Sequence, residues 1–148
     1  MAKFNAEQAT AVAAIQQLLG DWCYALDFTE CQDLGPVCTD DVVYVMGGKP
    51  YQGLPAIHAF YKTLFAGIKK GDTLPTRRHL YTNLRTTFIN ADEAAVTFSL
   101  LWWTTDFPNH NPADVAAVAD VWMTCRRAKD GDWKISKFDS VQPLKRFG

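Results

Sequence analysis

Apolar residues recur at helical spacing early in the chain and in near alternation through its second half. Val12, Ile15, Leu18, Leu19, Trp22 and Leu26 form one stripe, which predicts an amphipathic helix from about Asn5 to Phe28. Gly20 is the weak point inside it. Asp33 to Pro36 reads as a short connection, because Gly35-Pro36 stops a helix. The β-branched and aromatic run Val42 to Met46 predicts a strand. Gly47-Gly48 and Lys49-Pro50 make a tight turn, and Tyr51 to Gly53 begins a return. Ile57, Phe60, Tyr61, Leu64, Phe65 and Ile68 share one side of a second helix, Leu54 to Ile68, with Pro55 in its first turn.

From Thr76 the pattern changes to strands: Arg78 to Asn90, Ala94 to Thr105, Val115 to Ala128 and Trp133 to Val141. Turns fall at Asn90 to Glu93 and at Asp130-Gly131, and a loop spans Phe107 to Pro112. No repeat or linker divides the chain, so residues 1–148 read as a single domain. Helices first and hairpin-connected strands after predict an α+β architecture. A long antiparallel sheet bent over the helices would leave a cone-shaped hollow lined by aromatics.

Charge narrows the function classes. Lys plus Arg number 15 against 16 Asp plus Glu, so no strong positive field gathers phosphates, and nucleic-acid binding loses its main driver. No apolar run approaches the roughly 18 residues of a membrane span, and Met1 to Thr10 lacks the apolar core of a signal peptide. Cys23, Cys31, Cys38 and Cys125 form no Cys-x-x-Cys pair; free thiols in a reducing cytoplasm are expected. Cys23 as a nucleophile has no neighbouring His in sequence to activate it. The three His and the acids lack metal-ligand spacings, and no phosphate loop or nucleophile elbow occurs, so neither a metal nor a cofactor is expected. Aromatics, at 13% of residues, either fill a core or line a pocket for a flat apolar ligand.

Few positions combine chemistry with placement. Asp27 ends the first helix, where the macrodipole disfavours an acid, and it shares a face with Tyr24. Strand alternation puts His79, Tyr81, Asn83 and Arg85 on one face and Leu80, Leu84 and Phe88 on the other. The polar face is open to two readings: solvent, with the Leu/Phe face as core, or a wet pocket into which His79 and Asn83 point. Trp102, Thr104 and Asp106 share strand parity, as do Asp120 and Trp122, and His110 follows in the loop. Each acid is either a second pocket carboxylate or a surface group; His58 reads as a helix-surface residue.

Five segments together carry a resemblance. They are Trp22-Cys23-Tyr24-Ala25-Leu26-Asp27, Thr39-Asp40-Asp41-Val42-Val43-Tyr44, Gly53 before a short helix, Arg78-His79-Leu80-Tyr81-Thr82-Asn83, and Gly131-Asp132-Trp133-Lys134-Ile135. Their order and spacing resemble the SnoaL-like branch of the nuclear-transport-factor-2-like superfamily, near the scytalone-dehydratase and bile-acid-dehydratase types. The resemblance implies a cystatin-like α+β barrel or cone, with N-terminal helices packed in a strongly bent antiparallel sheet. It implies that Asp27 orients a pocket His79, and that Tyr24 or Tyr44 polarises a substrate carbonyl. Asp106 or His110 would supply a further acid or base. Trp102, Trp103, Trp122, Phe60 and Phe65 would wall the pocket, with Asn83 beside His79. The activity implied is a cofactor-free dehydratase or isomerase acting on a small hydrophobic carbonyl compound, of polyketide, steroid or aromatic type, in a homodimer or homotrimer. A binding or assembly module, like the small subunits of aromatic dioxygenases, is the alternative the same family offers.

Overall fold

The computed structural model describes residues 3–69, 75–105 and 114–145. Two helices, α1 (Ala6–Phe28) and α2 (Gly53–Ile68), pack against six strands: β1 (Cys38–Met46), β2 (Lys49–Gln52), β3 (Arg77–Asn90), β4 (Glu93–Thr104), β5 (Asp114–Arg127) and β6 (Trp133–Lys145). The strands form one sheet in the order β2-β1-β6-β5-β4-β3. All neighbours are antiparallel except β1 and β6, which run parallel. That pairing lets the first strand lie beside the last, and it is the detail an all-antiparallel expectation lacks. Four of the five strand pairs carry register irregularities, which bend the sheet into a trough around α1.

Helix α1 starts on a reciprocal cap. The Asn5 side chain accepts from the Gln8 amide, and the Gln8 side chain accepts from the Asn5 amide. Its stripe of Ile15, Leu18, Leu19, Trp22 and Leu26 is buried against the concave sheet face. Gly20 lies on the exposed side of the helix, where a Cβ would meet nothing, so packing does not require a glycine there. The helix is stopped by Glu30 and Cys31, two consecutive residues with left-handed backbone (φ 52° and 58°). The Thr29 hydroxyl and the Cys31 amide both close onto the Ala25 carbonyl.

The concave face of β4, β5 and β6 is apolar: Val96, Phe98 and Leu100, then Ala119, Val121 and Met123, then Ile135 and Phe138. Strand β3 departs from simple alternation. Its register shifts between Thr82 and Arg85, and Asn83 sits there with φ 57°. The bulge reverses parity, so Arg77, His79 and Tyr81 share the inner face with Leu84, Thr86 and Phe88. Asn83 and Arg85 therefore leave the face predicted for them. No helix among the described residues is long and apolar enough to cross a membrane.

Candidate active site

Asp27 lies in the last turn of α1, and His79 lies near the start of β3. The structure brings them together through two contacts. His79 Nδ1 lies 2.6 Å from Asp27 Oδ1, and the His79 backbone N–H donates to Asp27 Oδ2 at 2.8 Å. Both carboxylate oxygens are thus engaged by one residue. The side chains are nearly enclosed, with 4% of Asp27 and 13% of His79 exposed. This answers why an acid is tolerated at a helix C-terminus: its charge is met by donors, not by water. With Nδ1–H directed at the carboxylate, Nε2 is left as the acceptor nitrogen of the imidazole.

The His79 ring lines an open-mouthed cavity of about 560 Å³ between α1, α2 and the sheet. Its walls are mainly apolar. Leu26, Phe60, Leu64, Phe65 and Ile68 come from the helices, and Leu100, Trp102 and Phe138 come from the sheet. The Trp102 ring lies 5.8 Å from the His79 ring. Polar atoms are few: beside His79, the lining includes Tyr61, Arg77, Thr104, Ser140 and Gln142. Such a space suits a small, largely apolar molecule oriented by a handful of polar contacts.

Of the residues expected to wall a pocket, Phe60, Phe65 and Trp102 line this cavity. Other expected residues stand elsewhere. Tyr24 is on the outer side of α1, 61% exposed and stacked on Phe28, because it lies off the apolar stripe. Tyr44 is fully buried beneath the cavity, and its hydroxyl accepts the Trp22 Nε1–H at 2.9 Å. Burial pushes its phenol well above the ordinary 10.0, so it remains neutral. Trp122 points from the convex face, 49% exposed, since Val121 and Met123 take the inner positions of β5. Asn83 joins Asp120 and Trp122 in a shallow outer groove, carried there by the β3 bulge. Trp103 also faces outward. Asp106 and His110 lie outside the described residues.

The cysteines are buried and free. Burial, reinforced by the Asp27 charge, raises the Cys23 thiol to about 12, and burial raises Cys31 to about 12. Neither is a thiolate nucleophile near neutral pH. Among the described residues, no cluster of three or more His, Cys, Asp or Glu is arranged to hold a metal ion.

Among the described residues, the one charged residue of the lining besides the His79 pair escaped the sequence reading. Arg77 directs Nε and Nη2 at the Leu26 carbonyl, at 3.2 and 2.8 Å, and its guanidinium carbon lies 4.0 Å from the Phe65 ring centre. It thereby places a cation on an acceptor at the end of α1, one residue from Asp27. The signal was available: Arg77 stands two positions before His79 on one strand, so both share a face.

A helix-lined cone of bent sheet with a buried His–Asp pair at its cavity defines the class. The chain belongs to the SnoaL-like domain family, whose model matches residues 7–139. Solved structures show the same fold at low identity. A protein from Catenulispora acidiphila is 21% identical with a TM-score of 0.80, covering 93% of this chain and 95% of that one. A protein provisionally assigned as a scytalone dehydratase from Novosphingobium aromaticivorans DSM 12444 is 17% identical (TM-score 0.75; 93% and 87% covered). The hexachlorocyclohexane dehydrochlorinase LinA-type3 from Novosphingobium barchaimii LL02 is 23% identical (TM-score 0.73; 94% and 90% covered). A search of curated protein sequences returned no match.

Proposed function

We propose that this protein is a cofactor-independent lyase or isomerase that removes a proton next to the carbonyl group of a small hydrophobic substrate. The observation that carries this reading is the Asp27–His79 pair opening on an apolar cavity. The carboxylate takes the Nδ1–H, fixes the tautomer and stabilises the imidazolium that forms. Nε2 is then free to accept a proton from a C–H bond made acidic by an adjacent carbonyl. If the imidazolium returns its proton to a departing hydroxyl, the reaction is a dehydration. If it returns the proton to another carbon, the reaction is an isomerisation. The names of two structural neighbours, a dehydratase and a dehydrochlorinase, are those of elimination enzymes and support the lyase branch. The lining of Phe60, Phe65, Trp102 and Phe138 suits an aromatic, polyketide or steroid body.

The test does not require the physiological substrate. A panel of cyclic and aromatic ketones is incubated with the protein in D2O, and deuterium uptake at the α-carbon is followed by NMR. Uptake above background is expected for at least one ketone. His79→Ala should slow it by about 10²–10⁴-fold, and Asp27→Asn should slow it strongly as well, through loss of the correct tautomer. Uptake that persists unchanged in His79→Ala would end the base assignment.

A further inference from the structure

A carbonyl next to the acidic C–H needs a donor for its oxygen, and neither tyrosine expected to supply one reaches the cavity with a free hydroxyl. Tyr24 is outside, and Tyr44 is fully buried and does not line the cavity, its hydroxyl accepting from Trp22 and lying 3.7 Å from the Cys38 thiol. Trp22 lines the cavity, but its side-chain N–H is spent on Tyr44, and Tyr61 lines it with its hydroxyl engaged by the Cys31 sulfur. Arg77 is differently placed. It lies two positions before His79 on the same concave face, so the two side chains leave the strand about 7 Å apart. One edge of its guanidinium is fixed on the Leu26 carbonyl, and one face is covered by Phe65. Three N–H bonds, two on Nη1 and one on Nη2, have no protein acceptor among the described residues. A clamped guanidinium with unspent donors, set in an apolar wall, favours an oxygen that carries or develops negative charge.

We propose that Arg77 binds the substrate's carbonyl oxygen and stabilises the enolate formed when His79 removes the neighbouring proton. This inference rests on the reading of His79 as the base. The charges balance at each stage. Before transfer, the Asp27 carboxylate and the Arg77 guanidinium oppose each other. The proton moves from carbon to Nε2, and the C–H electron pair delocalises onto the carbonyl oxygen. The new imidazolium then faces Asp27, and the new oxyanion faces Arg77, so no charge is left uncompensated in the apolar cavity. In an elimination, the enolate pair reforms the carbonyl, a C=C bond forms as the β C–O bond breaks, and the leaving hydroxide takes the proton back from His79 as water. The carbonyl end of the substrate thus lies along β3, and its hydrophobic body extends toward α2 and Phe138.

The probe is 4-nitrophenol, whose phenolate places partial negative charge on an oxygen attached to a flat apolar body, with nitrobenzene as the uncharged comparator. Wild type should bind the phenolate about tenfold or more tighter than nitrobenzene. Arg77→Gln should abolish that preference, Arg77→Lys should retain part of it, and His79→Asn should keep it. Should Arg77→Gln fail to fold, the side-chain ¹⁵N resonances of Arg77 in the wild type serve instead. They should move on adding phenolate and not on adding nitrobenzene. An equal preference in Arg77→Gln and wild type, or a preference lost in His79→Asn alone, would overturn the proposal. So would unmoved Arg77 resonances. The deuterium-uptake assay separates the two readings. Uptake unchanged in a folded Arg77→Gln removes the enolate role and leaves His79 as base. Phenolate held by Arg77 in a protein that exchanges no α-proton removes the base and leaves the oxyanion site.

Discussion

Tyr44 shows how the same side chain divides between core and chemistry according to the partner of its hydroxyl. The group accepts the Trp22 N–H in a buried setting, so its role is to satisfy a donor that would otherwise be orphaned. Tyr44→Phe should destabilise the fold by about 1–3 kcal/mol, as judged by urea denaturation. It should leave deuterium uptake within about threefold of wild type, because no substrate contact is lost. A folded variant that loses uptake a hundredfold would return Tyr44 to the reaction. At this scale, Asp27 stood out in the sequence as an acid at a helix C-terminus, whereas its pairing with His79 was legible only through the family resemblance, because strand alternation left the His79 face open between solvent and pocket. Tyr24 was misplaced because one helical face holds both buried and exposed neighbours, and spacing alone does not say where the stripe ends. Arg77 was overlooked because an arginine in a strand carries no such anomaly.

Strand β3 holds the clearest lesson at the scale of elements. Two-residue alternation is reliable only while the pairing is regular, and a single unpaired residue reverses it. Asn83 provides that residue, in a left-handed conformation that Asn and Gly adopt with little strain. Asn83→Val should therefore destabilise the protein by about 1–2 kcal/mol, whereas Asn83→Gly should lie within about 0.5 kcal/mol of wild type. Equal denaturation midpoints for the Val and Gly variants would contradict this account. The helices and hairpins were readable because their signals are local: the apolar stripe of α1, the Gly47-Gly48 turn and the Asp130-Gly131 turn. The parallel pairing of β1 with β6 was not, since it joins residues about a hundred positions apart and no turn records it.

For the whole molecule, buried thiols and phenols set the behaviour in alkali. Burial holds Cys23, Cys31 and Cys125 at about 12 and Cys38 at about 11, against an ordinary thiol at 9.0. Tyr44 and Tyr61 are raised well above 10.0 for the same reason. The unfolded chain releases these protons at lower pH than the folded one does. Their contribution to stability is thus fully present below about 9 and is lost as pH rises from 9 toward 12. The melting temperature should hold steady up to about pH 8.5 and then fall, with a shallower fall in Cys125→Ala. A wild-type curve that stays flat between pH 9 and 11 would contradict the burial of these groups.

The double contact of Asp27 with the ring and the amide of one residue has an evolutionary consequence. The acid grips the strand as well as the imidazole, so the reactive pair is anchored at a single seam, between the end of α1 and the start of β3. The opposite wall, built from α2 and β6, takes no part in that seam. Replacements at Phe60, Leu64, Ser140 or Gln142 can reshape the receiving volume while the proton-moving pair stays where it is. Such a division lets a lineage change what it accepts without rebuilding how it reacts.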